Sequence, residues 1–129
     1  VGTGSAGMAL VNGERFQVGG WGFHIGDQMS GAILGRELVR YAVEATDGLV
    51  DTSPLTDAVI AQLGGDLNAV MAWSFDSRQP ADYGALMPLF IEYFEKGDPV
   101  ALAKGSCLCF RSATAITFPC PAQNRCTER

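Results

Sequence analysis

The stretch Gly19-Gly20-Trp21-Gly22-Phe23-His24-Ile25-Gly26-Asp27 separates two kinds of sequence. Before it, short runs alternate between apolar and polar residues. After it, apolar residues recur at helical spacing. The nine residues hold four glycines, a Trp, the only His of the chain and one carboxylate. Glycine lets backbone approach a ligand because no Cβ intervenes. Trp offers a flat apolar face with one N–H donor, and Asp offers acceptors for hydroxyls. Such a set suits a polar, ring-shaped ligand such as a sugar. It equally suits a glycine-rich turn joining a hairpin to a helix, and the nine residues alone leave both readings open.

Upstream, Val1 to Val11 begins with small residues and ends in alternating apolar ones. Asn12-Gly13 tolerates φ > 0 at both positions and marks a two-residue hairpin turn. Arg15-Phe16-Gln17-Val18 alternates as a return strand should. The text therefore predicts a hairpin over residues 5–18 with Gly2-Thr3-Gly4-Ser5 at its mouth. The glycines there can expose N–H groups to an anion, and Thr3 and Ser5 add hydroxyls. No Gly-Lys-Thr/Ser follows, so this is not a Walker A loop, and a plain turn is the alternative.

Downstream, Ser30 is an N-cap residue, and Asp27 would lie near the positive end of the helix that follows. Ile33, Leu34, Leu38, Tyr41, Ala42 and Ala45 form the predicted apolar stripe, with Arg36, Glu37, Arg40 and Glu44 on a solvated face. Gly48 stops this helix, expected over residues 30–47. Ser53-Pro54 opens a second helix with stripe Leu55, Val59, Ile60 and Leu63, ended by Gly64-Gly65. Residues 66–75 form a short apolar run with Trp73 expected in the core. Gln79-Pro80-Ala81 starts a helix carrying Tyr83, Leu86, Met87, Phe90, Ile91 and Phe94, with Pro88 expected to kink it. Its aromatics read as core. Gly97-Asp98-Pro99 breaks that helix and restarts another at Val100, with Asp98 as its cap rather than a metal ligand.

From Gly105 the text changes. Helical periodicity ends, acidic residues vanish until Glu128, and all four cysteines (Cys107, Cys109, Cys120, Cys126) appear. A secreted disulfide domain would spread them through the fold. A zinc site is disfavoured, since its pairs usually enclose two to four residues. Residues 105–129 read either as a short strand over 113–118 with a loose tail or as translation in the wrong frame, and the second is preferred.

Composition bounds the rest. The 129 residues make one domain or one lobe, and 47% hydrophobic content is that of a packed globule. A net charge of −5 argues against nucleic acid as a partner. No run approaches the ~20 apolar residues that span a bilayer. There is no signal-peptide pattern. The chain lacks an initiator Met and opens in a glycine-rich motif, which reads as the interior of a longer, cytoplasmic protein.

Five motifs in order now carry a resemblance: Gly2-Thr3-Gly4-Ser5, Gly19-Gly20-Trp21-Gly22, Gly26-Asp27-x-x-Ser30-Gly31, Pro54-Leu55-Thr56 and Gly97-Asp98-Pro99. Together they resemble the BadF/BadG/BcrA/BcrD-type ATPase family, closest to its N-acetylglucosamine and glucosamine kinases. The resemblance runs from residue 1 to about residue 104. It implies an α/β fold, a truncated ribonuclease-H-like lobe of the actin-like or hexokinase type, with an N-terminal β-hairpin followed by several helices. Residues 1–104 would be part of the second lobe, and residues 105–129 an atypical Cys-containing tail, frameshifted or disordered. It implies ATP and Mg2+ as cofactors and an amino sugar as substrate, and it allows a homodimer of the full-length protein. Gly2, Thr3, Gly4 and Ser5 match the second phosphate-binding loop, with Thr3 expected to contact ATP. Gly84 aligns with a residue bordering the adenosine pocket. Gly20, Trp21, Gly22 and Asp27 match sugar-contacting positions.

Three departures stand out. The family's Gly-Asp-Glu-Gly-Ser is here Gly26-Asp27-Gln28-Met29-Ser30. The first phosphate loop and the catalytic aspartate belong to the family's first lobe, so no catalytic residue is named and the chain is expected to be an inactive fragment. The tail does not match the later family motifs. A non-catalytic sugar- or nucleotide-sensing domain of the same fold is the second reading. An activator ATPase built on an iron–sulfur cluster is disfavoured, since no cysteine lies in the matching part. His24 reads as a locally packed loop residue rather than an acid–base catalyst, and Phe23 and Met29 as packing residues.

Overall fold

A computed structural model describes residues 2–76 and 78–105. The readings made above for the tail beyond residue 105, namely the strand at 113–118, the four cysteines and the shifted frame, lie outside the described residues.

Strands β1 (Ala6–Val11) and β2 (Glu14–Gly19) pair antiparallel, with Val11 opposite Glu14 and Ala6 opposite Gly19. Asn12 and Gly13 take φ of 52° and 86°, the left-handed pair that matches strand twist in a two-residue turn. Met8, Leu10, Phe16 and Val18 stay exposed on this ribbon. Among the described residues the ribbon is a two-stranded sheet, and its own side chains contribute nothing to the buried core.

Helix α1 (Gly31–Thr46) starts where expected: the Ser30 hydroxyl accepts from the Ile33 N–H at 3.2 Å. It ends at Gly48, φ 77°, where the Leu49 N–H returns to the Glu44 carbonyl at 2.9 Å. Its buried face holds Leu38, Ala42 and Ala45 of the predicted stripe but is shifted from it. Ala32, Gly35, Leu38, Val39, Ala42 and Ala45 are buried, whereas Ile33 and Tyr41 are half-buried. Most of that face is small, so neighbouring backbone comes close. The opposite face carries the expected ions, Glu37 to Arg40 at 2.9 Å and Arg40 to Glu44 at 3.6 Å.

Helix α2 (Pro54–Gln62) opens with a reciprocal box in which Ser53 and Thr56 exchange side-chain and backbone bonds. Leu55, Val59 and Leu63 enter the core as predicted. Helix α3 (Leu67–Phe75) is capped by Asp66, whose carboxylate takes the Ala69 N–H at 2.8 Å. Trp73 sits half-buried against the core rather than inside it, with Arg78 over its ring.

The single helix expected after Gln79 is two: α4 (Pro80–Gly84) and α5 (Met87–Glu95). Pro88 is the reason. It has no N–H for the Gly84 carbonyl, and its ring crowds that carbonyl. The chain turns at residues 85–86, and Pro88 becomes a first-turn residue of α5. Leu86, Met87 and Phe90 are buried, but Ile91 and Phe94 are exposed. A further helix covers residues 99–105. The core lies where α1, α2 and α5 meet, with Val70, Leu86 and Ala101 closing it.

Candidate functional site

Two of the five motifs are structural. Asp98, 6% exposed, accepts from Val100 N at 2.9 Å and Ala101 N at 3.0 Å through Oδ1, which caps the helix over 99–105. Its Oδ2 takes the Leu55 N–H at 3.1 Å, an orphan donor in the first turn of α2. One carboxylate thus joins Gly97-Asp98-Pro99 to Pro54-Leu55-Thr56 by satisfying two helix starts. The open groove beside it, about 310 Å³, is lined by Pro54, Tyr93, Lys96, Gly97, Asp98 and Pro99. The Lys96 ammonium there is held above its ordinary pKa by the hydrogen bond and charge of Glu92.

The other three motifs converge at the hairpin mouth. The Gly20 N–H bonds the Ser5 carbonyl at 2.9 Å and closes the mouth. The Ser5 N–H donates to Asp27 Oδ1 at 3.3 Å, and the Ser5 hydroxyl donates to the Gln28 carbonyl at 2.6 Å. The Gly31 N–H donates to the Gly2 carbonyl at 2.8 Å. Four bonds therefore sew Gly2-Thr3-Gly4-Ser5 to the loop running from Gly20 into α1.

Asp27 lies at the centre of this seam. It is 9% exposed, and a Cβ on Gly4 would stand 3.4 Å from its Oδ2. The carboxylate thus lies in ordinary contact range of the Gly4 position. Thr3 points toward α4: a Cβ on Gly84 would meet the Thr3 methyl at 3.5 Å. The fold thus gathers Thr3, Gly4, Asp27 and Gly84, which span most of the sequence, into one neighbourhood.

Trp21 is 67% exposed, and Gly20 and Gly22 flank it at φ of 79° and 86°. The turn is closed by the Gly26 N–H on the Gly22 carbonyl at 2.7 Å. A Cβ at Gly26 would come 2.9 Å from the Trp21 Cβ, so Gly26 packs on the root of the Trp and leaves its indole outside. Phe23 anchors the loop to the helices: it stacks on Tyr83 at 5.6 Å, with Arg36 5.1 Å above its ring. His24 is exposed and touches the edge of Phe23 at 5.4 Å.

One positioning glycine escapes a reading by motif. Gly35 lies under α4, where an added Cβ would fall 2.0 Å from the Tyr83 carbonyl oxygen. A lone glycine inside a helical pattern was the available signal for Gly35. Met29 takes φ 70°, the left-handed conformation suited to glycine, at the position where the resembling family carries glycine. Among the described residues no three His, Cys, Asp or Glu side chains gather as a metal site, and no helix is long and apolar enough to cross a membrane.

The described residues thus form a β-hairpin that feeds a layer of helices, with the hairpin mouth bonded to a glycine-rich loop. No protein-family model matches it. Glucosamine kinase GspK of Vibrio cholerae is 39% identical over 101 residues, 78% of this chain and 34% of that protein. A crystal structure from Chromobacterium violaceum, of a protein provisionally assigned as an N-acetylglucosamine kinase, is 42% identical with a TM-score of 0.71. It covers 81% of this chain and 36% of that one. The chain spans about a third of the length of these two relatives. Across the matched segment it is a homologue of the glucosamine and N-acetylglucosamine kinases, in keeping with its BadF/BadG/BcrA/BcrD-type motifs.

Proposed function

We propose that the chain is the opening part of the second, ribonuclease-H-like lobe of an actin-like sugar kinase. That kinase would transfer the γ-phosphoryl group of ATP to the primary hydroxyl of glucosamine or N-acetylglucosamine in the cytoplasm. The observation that supports this best is the seam at Ser5, where the loop assigned to nucleotide phosphate is bonded directly onto the carboxylate assigned to the sugar.

Phosphoryl transfer depends chiefly on positioning and charge stabilisation. In this reading Thr3 and Gly4 face the nucleotide and Gly84 borders its adenosine end. Asp27 accepts from sugar hydroxyls through charge-assisted hydrogen bonds, and Gly20, Trp21 and Gly22 bring backbone and an indole face to the ring. ATP carries Mg2+ with it, and that ion neutralises phosphate charge while keeping water and phosphate ligands, so it needs no side-chain cluster of its own here. The base that would take the sugar hydroxyl proton is assigned to the other lobe, so this chain by itself is proposed to bind without turning over.

The test is calorimetric titration of N-acetylglucosamine and glucosamine into the protein and into Asp27→Ala. Loss of a charge-assisted bond should weaken binding by roughly tenfold or more. An unchanged affinity would remove Asp27 from the sugar site.

A further inference from the structure

We propose that Ser5 is a positioning residue that couples the nucleotide loop to the sugar loop, so that each ligand strengthens the other's binding. The proposal rests on the assignment of the two loops made above and adds how they communicate. Its ground is the way Ser5 uses its groups. The N–H goes to Asp27 Oδ1, the hydroxyl to the Gln28 carbonyl, and the carbonyl to the Gly20 N–H. Every polar group of Ser5 is thus engaged with the loop that carries Gly20, Trp21, Gly22 and Asp27. A residue so engaged is not a ready phosphate donor, whereas its neighbours Thr3 and Gly4 lie toward Gly84 and Asp27.

The loop that Ser5 holds needs holding. Asp27 and Met29 both sit at positive φ, 54° and 70°, and each is a side-chain-bearing residue in a conformation that costs about 1–2 kcal/mol. Gln28, between them, is the residue whose carbonyl the Ser5 hydroxyl grips. Strained backbone persists only where its surroundings over-determine it. A phosphate ordered on Thr3 and Gly4 fixes the residue next to them, and Ser5 passes that order to Gln28 and Asp27. A sugar on Asp27 acts in the reverse direction. Linkage requires the two effects to be equal in binding free energy.

The test measures N-acetylglucosamine affinity with and without saturating Mg-ADP, and Mg-ADP affinity with and without the sugar. It is run on wild type, Ser5→Ala and Ser5→Thr. Ala keeps the N–H that Asp27 accepts and removes the hydroxyl bond alone. Thr keeps a hydroxyl. Wild type should show mutual strengthening of about 5- to 20-fold, falling below about 2-fold in Ser5→Ala and restored in Ser5→Thr. Equal ratios in wild type and Ser5→Ala, with both ligands bound, overturn the coupling while leaving the loop assignments standing. Failure of wild type to bind either ligand overturns the assignments and the coupling with them. If Ser5→Ala does not fold, Ser5→Gly, which also lacks the hydroxyl, decides: a kept ratio in the folded protein overturns the proposal, and a lost ratio supports it.

Discussion

Replacing Asp98 tests whether one carboxylate holds two helices. In the folded protein it accepts from three buried backbone donors, Leu55, Val100 and Ala101, at 2.9–3.1 Å. An ordinary N-cap is worth about 1 kcal/mol. A buried donor left without a partner costs about 1–3 kcal/mol. Asp98→Ala strands three donors on two helices, and helix starts admit some water, so the lower end applies to each: a loss of about 3 kcal/mol. Asp98→Asn keeps an oxygen for the helix over 99–105 but turns an NH2 toward the Leu55 N–H, a loss of about 1–3 kcal/mol. Asp66→Ala is the comparison, because that cap is exposed and serves one donor, Ala69; it should cost about 1 kcal/mol. Urea unfolding followed by far-ultraviolet circular dichroism gives all three values, with the slope checked for constancy. The reasoning fails if Asp98→Ala costs no more than Asp66→Ala, or if Asp98→Asn matches wild type.

Two further outcomes follow from backbone geometry. Gly35→Ala must move α4 away from α1, since the new Cβ would lie 2.0 Å from the Tyr83 carbonyl oxygen. It should destabilise by about 1–3 kcal/mol and weaken nucleotide binding by shifting Gly84 from Thr3; a wild-type melting curve would count against that packing. At Met29, φ 70°, Met29→Gly should exceed Met29→Ala in stability by about 1 kcal/mol, the reverse of the order in a helix, as read by the same urea titration. Equal stability would mean that the loop relaxes out of the left-handed region.

Much of the fold was legible because its signals are local. Asn12-Gly13, Ser30, Ser53-Pro54 and Gly48 act through their own φ/ψ preferences or through bonds three to five residues away, and each appears where its residue type placed it. The helix over 79–94 was misread as one because Pro88 was credited with a bend, whereas the missing N–H and the crowded Gly84 carbonyl were enough to end α4. The α1 stripe was legible at Leu38, Ala42 and Ala45, which are buried, but it missed Ala32, Gly35 and Val39. Ala32 and Gly35 are buried because a neighbouring helix needs room, which no single-helix pattern reports.

The sequence by itself determined the hairpin, the caps and the motif order that points to a sugar-kinase ancestry. Those follow from steric and hydrogen-bonding rules that hold within a few residues. Tertiary structure alone decided which motifs meet at the hairpin mouth and which join two helix starts. Gly97-Asp98-Pro99 and Pro54-Leu55-Thr56 looked equal to the others in text. They meet because the buried Asp98 carboxylate satisfies the donors that start its own helix and also the Leu55 N–H, 43 residues before it. The glycine-rich stretch after the hairpin meets Ser5 across 22 residues for a related reason: the bond from the Ser5 N–H to Asp27 requires the hairpin mouth to lie against the loop that leads into α1.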